Sequence, residues 1–239
     1  MALPLVQRQP TPAWAGDRRS TRDDLLAEYL HLREISKRLH EEVLRSISGD
    51  ALLKHARRLG LAQGKTLILD NRDEIYYVYD LAIYTAPADR SRAIDRYAKS
   101  ARFEPRSSER LMLDAMCGAQ FAILLIEERH DAVGLIATDI LRNSKVWLLD
   151  IGLESSMEDG ELIATRLITP GPFSMTAGVN VPFEVEMLEP ICMLLPRRLG
   201  NSKLRQIAED RRFAETVYKL GLADGVMDRL AYLDLPDRA

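Results

Sequence analysis

The sequence predicts an α+β protein, with a small antiparallel β-barrel or curled sheet in the middle of the chain and helices on its N-terminal and C-terminal sides. Three observations carry this expectation. Within residues 121–173 lie four short runs of strand-forming residues, parted by polar breaks where a chain can reverse. Ahead of them, Leu25, Tyr29, Leu32, Leu39 and Val43 recur at helical spacing. After about residue 185, prolines and then a polar, arginine-rich stretch signal a return to helix. The chain therefore divides into a loosely ordered arm (1–20), a helical region (21–118), an antiparallel β-barrel-like region (119–185) and a C-terminal helical region (186–239).

The chain has 239 residues, 46% hydrophobic and 29% charged, as expected of a soluble globular protein near the upper size for one core. A net charge of −3 and a pI near 5.9 give no overall attraction to nucleic acid or acidic membranes. No apolar run is long enough to span a bilayer, and the opening residues lack the apolar core of a secretory signal. Arg18 and Arg19 precede Asp23 and Asp24 rather than an apolar run, which argues against export. Cys117 and Cys192 lie far apart among apolar neighbours, so two buried, reduced thiols and a cytoplasmic setting are expected.

Pro4, Pro10 and Pro12 keep the first 20 residues out of regular structure. Thr21 and Asp24 have the spacing of a helix N-terminal cap, opening a helix to about Ile47 with Glu34–Arg38 and Glu41–Arg45 as supporting pairs. That helix is either a strut on the β-rich centre or a seam for self-association. A shorter helix, Ala51 to Leu59, stops at Gly60. Gly64-Lys65-Thr66 resembles the end of a phosphate-binding loop. The spacing fails, because position 59 is Leu rather than Gly. Asp70 and Asn71 then cap a tyrosine-rich helix to Tyr84, with Ile75, Val78, Tyr79, Ala82 and Ile83 facing inward. Further helices are expected over Arg90–Arg102 and from Arg110 to about Gly118.

In the centre, the first strand, Phe121–Glu127, is apolar on both faces and should lie in the middle of the sheet. Strands at Ala132–Ile140, Lys145–Leu149 and Leu162–Ile168 follow, with short fifth pieces at Phe173–Thr176 and Val181–Val185 around a turn at Ala177–Asn180. Closing these strands would remove exposed edges, which favours a barrel; a flat sheet under helices is the alternative. Beyond them, Asn201 or Ser202 caps a helix that Gly221 ends near Leu220.

No constellation for catalysis stands out. The four histidines are scattered, and His40 beside Glu41 and Glu42 reads as a surface residue, so no metal site is expected. No GxSxG elbow is present, and the acidic segment 150–161 lacks the ligand order of a calcium loop. The best raw material for acid–base work is the first hairpin tip, with Glu127, Glu128, His130 and Asp131, although charged tips commonly just face water. Residues 119–185 carry ten acidic against four basic residues, a surface that repels phosphate. Segments 90–110 and 196–219 each carry seven basic against three acidic residues, so any nucleic-acid contact falls to them.

The runs LGLAQGKTLILDNRDEIYYVYDLAIY, IDRYAKS, MLDAMCGAQFAILLIEE, IATDILRNSKVWLLDIGLESS and ELIATRLITPGPFSMTAGVNVPF resemble an uncharacterised bacterial family of hypothetical proteins. The resemblance spans about residues 25–185, is most specific over ATRLITPGPFSMTAGVNVPF, and implies one continuous unit in a bacterial cytoplasm but no reaction. The sequence thus points to a non-enzymatic protein-binding or regulatory module without a cofactor, meeting a protein partner or a second copy, in part through helix 21–47. One alternative is nucleic-acid association through basic helices 90–110 and 196–212, with Arg197, Arg198, Arg211 and Arg212 as contacts. The other is an enzyme of unknown class using the hairpin tip.

Overall fold

The computed structural model describes residues 21–71, 73–187 and 204–223; the arm, Cys192, Arg197 and Arg198 lie outside the described residues. The helices are α1 (Arg22–Arg45), α2 (Gly49–Leu59), α3 (Glu74–Tyr84), α4 (Ala93–Ser100), α5 (Ser108–Cys117), α6 (Ile151–Ser156), α7 (Leu204–Glu209) and α8 (Phe213–Ala223). The strands are β1 (Ala62–Gln63), β2 (Thr66–Leu67), β3 (Gln120–Arg129), β4 (Leu135–Asp139), β5 (Ser144–Leu148), β6 (Leu162–Ile168) and β7 (Met175–Phe183).

Local chemistry sets the first boundaries. Thr21 and Asp24 form the reciprocal capping box that opens α1. Gly60, at φ 83°, ends α2 in the left-handed conformation that glycine adopts without a Cβ penalty. Gly64-Lys65-Thr66 forms the turn and first residue of a two-stranded hairpin, so no helix follows it to hold a phosphate. Lys37, rather than Arg38, pairs with Glu34, while Arg38 reaches across to Glu109 on α5.

Several boundaries depart from expectation. The segment from Pro87 turns before it coils, and α4 begins only at Ala93, with Arg92 extended at its cap. On α3, Ile75 and Tyr79 are half-buried, whereas Tyr77, Asp80, Leu81 and Tyr84 are buried. The C-terminal helix is two helices, broken where Asp210 accepts the Arg212 backbone N–H and its own carbonyl accepts that of Phe213. Gly221 lies inside α8 rather than ending it.

The larger sheet has strand order β5-β4-β3-β6-β7, every pair antiparallel. β3 is central, and its alternate residues serve two cores. Phe121 and Ile123 join a core with α2, α3, α7 and α8. Ala122, Leu124 and Ile126 face the other way, buried against Leu135, Ala137, Leu148, Ile163 and Leu167 of the same sheet, with Leu153 of α6. A sheet covers one of its faces with its own side chains only by curling. A third core gathers α1, α4 and α5 around Trp147, Ile168 and Phe173.

The curl stops short of a barrel. With five antiparallel strands, the edges β5 and β7 run in the same direction, so closure needs a parallel pairing. Among the described residues, one parallel bridge joins those edges, Leu148 with Ser174. Within two residues of that bridge the chain leaves β5 for α6, whose first turn Asp150 caps, so the edge runs out before a ladder can form. The expected turn at Ala177–Asn180 is absent, and β7 runs through it as one strand with a bulge opposite Thr165–Leu167.

Candidate functional site

The hairpin-tip residues fall to separate partners. A bulge between Ile126 and Glu128 turns Glu127 towards β4 and β5. There its carboxylate accepts from the Thr138 hydroxyl at 2.6 Å and pairs with Lys145. Glu128 and Asp131 are exposed. His130 stacks on Trp147, ring centroids 4.2 Å apart, and accepts the Ala132 N–H at Nδ1. Burial lowers its pKa, opposed by the nearby Asp131 charge. In the acidic segment, Asp150 caps α6 and accepts the Thr176 hydroxyl at 2.6 Å. Among the described residues, no three of His, Cys, Asp and Glu gather as a metal site would require.

The polar groups that do converge lie where α3 crosses β6. Asp80, in the middle of the aromatic helix, is 4% exposed, and Arg166 on β6 is 5% exposed. The two form a bidentate pair, Nε to Oδ1 at 2.6 Å and Nη2 to Oδ2 at 2.8 Å. Burial alone would lower the Arg166 pKa; the Asp80 carboxylate carries it above its ordinary value, so it stays charged. Removing one partner of such a buried pair costs about 3–5 kcal/mol. The guanidinium also lies 4.6 Å from the Tyr84 ring centroid and 5.4 Å from that of Phe121. Tyr218, stacked on Tyr77 at 4.5 Å, faces the pair with its hydroxyl sealed and outside ordinary hydrogen-bond geometry.

His40 belongs to this network rather than to the surface. Its Nδ1 lies 2.7 Å from the Ser36 carbonyl, which can only accept, so Nε2 is the acceptor for the Tyr84 hydroxyl at 2.8 Å. Burial holds His40 below its ordinary pKa and pushes Tyr84 well above its own, which keeps imidazole neutral and phenol protonated.

Outward from Arg166, the wall opens into a cleft of about 440 Å³, within the range of small-molecule sites. Five arginines line it: Arg90 and Arg92 from the stretch before α4, Arg142 from the β4–β5 turn, Arg166 from β6, and Arg211 from the elbow between α7 and α8. Three are held from behind by acids. Asp95 takes Nε and Nη2 of Arg92, whose Nη2 also reaches the Cys117 carbonyl. Asp139 takes Nη1 of Arg142, and its other oxygen accepts the Leu141 and Arg142 backbone N–H groups. Each guanidinium has five N–H donors, so these contacts leave several unused. Arg90 and Arg211 are exposed and carry no ion pair among the described residues. Glu209 and Asp210 are the acids on the rim.

A smaller hollow of about 130 Å³ adjoins the cleft, sharing Thr85, Ala86 and Arg211 with it. Its other walls include His55, Arg58 and Arg212. Glu215 pairs with Arg58 and with Lys219, and Asp210 holds Arg212 at 3.1 Å.

Of the residues singled out in the sequence, Arg211 lines the cleft with Arg90 and Arg92, and Arg212 lines the adjoining hollow, so one end of each basic segment reaches this side. Arg58, Asp80, Arg142 and Arg166 were not legible as site residues. The available signal was Asp80 itself, a carboxylate in an otherwise apolar and aromatic helix run, which demands a buried cation from elsewhere in the fold.

Residues 23–229 match the sequence signature of a family described as Family of unknown function (DUF7986), which extends the likeness well beyond residue 185 into the C-terminal helices. No curated protein and no solved structure matches the chain.

Proposed function

The chain belongs to the DUF7986 family, and we propose that it is a non-enzymatic binding or regulatory module that takes an anionic ligand, phosphate- or carboxylate-bearing, in the arginine-lined cleft. One observation carries this reading. Guanidinium groups from four separate stretches of chain open on one concavity, three of them pre-oriented by carboxylates behind the wall. Arginine forks placed in advance lose little freedom when a planar or tetrahedral oxyanion arrives. A partner surface on α1 has less support, because its apolar stripe from Leu25 to Val43 is spent on the core. A cytoplasmic, bacterial setting belongs to the same proposal, supported by the free thiol of Cys117.

Nucleic-acid association is the second reading, favoured by Arg90 and Arg92 lining one cleft with Arg211, with Arg212 in the adjoining hollow. The acidic excess of residues 119–185 confines any such contact to this side.

Thermal unfolding at fixed ionic strength tests the proposal. Phosphate at about 100 times its Kd should stabilise the protein by about 2.7 kcal/mol, a rise in Tm of roughly 5–10 °C. The combined Arg90→Ala and Arg211→Ala variant should lose that rise. No rise over a chloride control in the wild-type protein would refute anion binding.

A further inference from the structure

The cleft and the smaller hollow adjoin along a shared edge formed by Arg211 with Thr85 and Ala86. Resting on the anion-binding reading above, we infer that the ligand carries a pyrophosphoryl group, one phosphoryl unit in the cleft and the next in the hollow, with Arg211 spanning both. Arg211, shared by both rooms, sets the spacing. A single planar guanidinium reaches two anionic groups only when they are close neighbours, as two condensed phosphoryl units are and the ends of a long dicarboxylate are not.

The smaller room is suited to the second unit in size and charge. At about 130 Å³, against about 440 Å³ for the cleft, it is the smaller room and suits the smaller unit. Arg58 and Arg212 stand in its walls, from α2 and from the elbow before α8. His55 stands there as well, with Nδ1 sealed and without a hydrogen-bond partner among the described residues. Burial first, then the Arg58 charge and more weakly Lys54, hold that imidazole below its ordinary pKa against the pull of Glu215. An oxyanion beside it would act in the opposite sense, so occupation of the hollow draws a proton onto His55. The larger room then receives the rest of the ligand against Gln120 and the Arg90, Arg92 and Arg142 side.

Titration calorimetry on the full chain, at constant ionic strength, compares inorganic phosphate, inorganic pyrophosphate, a nucleoside diphosphate and the bare nucleoside. The inference predicts pyrophosphate binding about tenfold or more tighter than phosphate, since one added charge-assisted contact is worth about that factor. Arg212→Gln should bring pyrophosphate affinity down to that of phosphate, and a circular dichroism spectrum like that of the wild type shows that the variant is folded. A nucleoside diphosphate tighter than pyrophosphate would identify a nucleotide as the source of the group, and equal affinity the inorganic ion; both support the inference. Phosphate binding with no gain for pyrophosphate overturns the two-room assignment and leaves the anion site standing. Binding of neither ion overturns both, and nucleoside binding as tight as the diphosphate shows that the base is read instead.

Discussion

At the scale of single residues, the informative groups are those whose partners lie far away in the chain. His40 is flanked by Glu41 and Glu42 and reads locally as a surface residue, yet helical geometry sets it beside Ser36 and Val43 on the stripe that meets Tyr84. Its neutral form is the one the fold uses, with a pKa lowered by burial; His55 and His130 are lowered for the same leading reason. In the unfolded chain each returns to about 6.5. The unfolded state therefore binds more protons below that value, so stability is fully present above about pH 6.5 and falls as the pH drops from there towards the lower folded values. Denaturant titrations between pH 7.5 and 5 should show this decline, with a shallower slope for His40→Gln. A pH-independent midpoint would show that His40 is not held neutral. Arg166 and Asp80 illustrate the same limit of local reading: Arg166 is the one charge in β6 and Asp80 the one charge between Ile75 and Tyr84, and only the crossing of α3 over β6 makes them a pair.

At the scale of elements, apolar patterning and local capping were legible in β3 and α1. The doubly apolar run from Phe121 predicts the central strand, and the Thr21–Asp24 cap predicts the start of α1; β3 and α1 are as expected. Elements set by tertiary contact were not legible. Gly221 reads as a helix stop, but α8 continues through it because a close approach to β7 needs a residue without a side chain. A Cβ at that position would lie 2.9 Å from Cγ1 of Val181. In an isolated helix Gly→Ala is stabilising by about 1 kcal/mol. Here Gly221→Ala should instead destabilise by about 1–3 kcal/mol through overpacking, measured as a lower urea midpoint with unchanged slope. A stabilised variant would mean that α8 does not seat on β7 in this way.

At the scale of the whole molecule, the sheet's curl explains both the near-barrel and the position of the cleft. The edges touch at Leu148 and Ser174, α1, α4 and α5 gather around Trp147 and Phe173, and α2, α3, α7 and α8 pack on the face that bears Phe121. Barrel closure was not readable from strand-forming runs because it depends on where β5 ends, and that is decided by the Asp150 cap. The same architecture packs the Leu25–Val43 stripe of α1 against the core. Leu32 is 3% exposed, so Leu32→Asp should abolish cooperative unfolding rather than shift an oligomeric equilibrium. Circular dichroism with size-exclusion chromatography separates the outcomes, and a folded variant of smaller hydrodynamic size would restore α1 as a seam.

The proposed function requires that the arginine-lined concavity hold an oxyanion. Crystals soaked in tungstate, a heavy tetrahedral dianion, test it most directly through anomalous difference density. The strongest peak should lie inside the cleft, in contact with Arg90, Arg92, Arg142 or Arg211. Peaks confined to other surfaces, with the cleft empty at saturating tungstate, would contradict it.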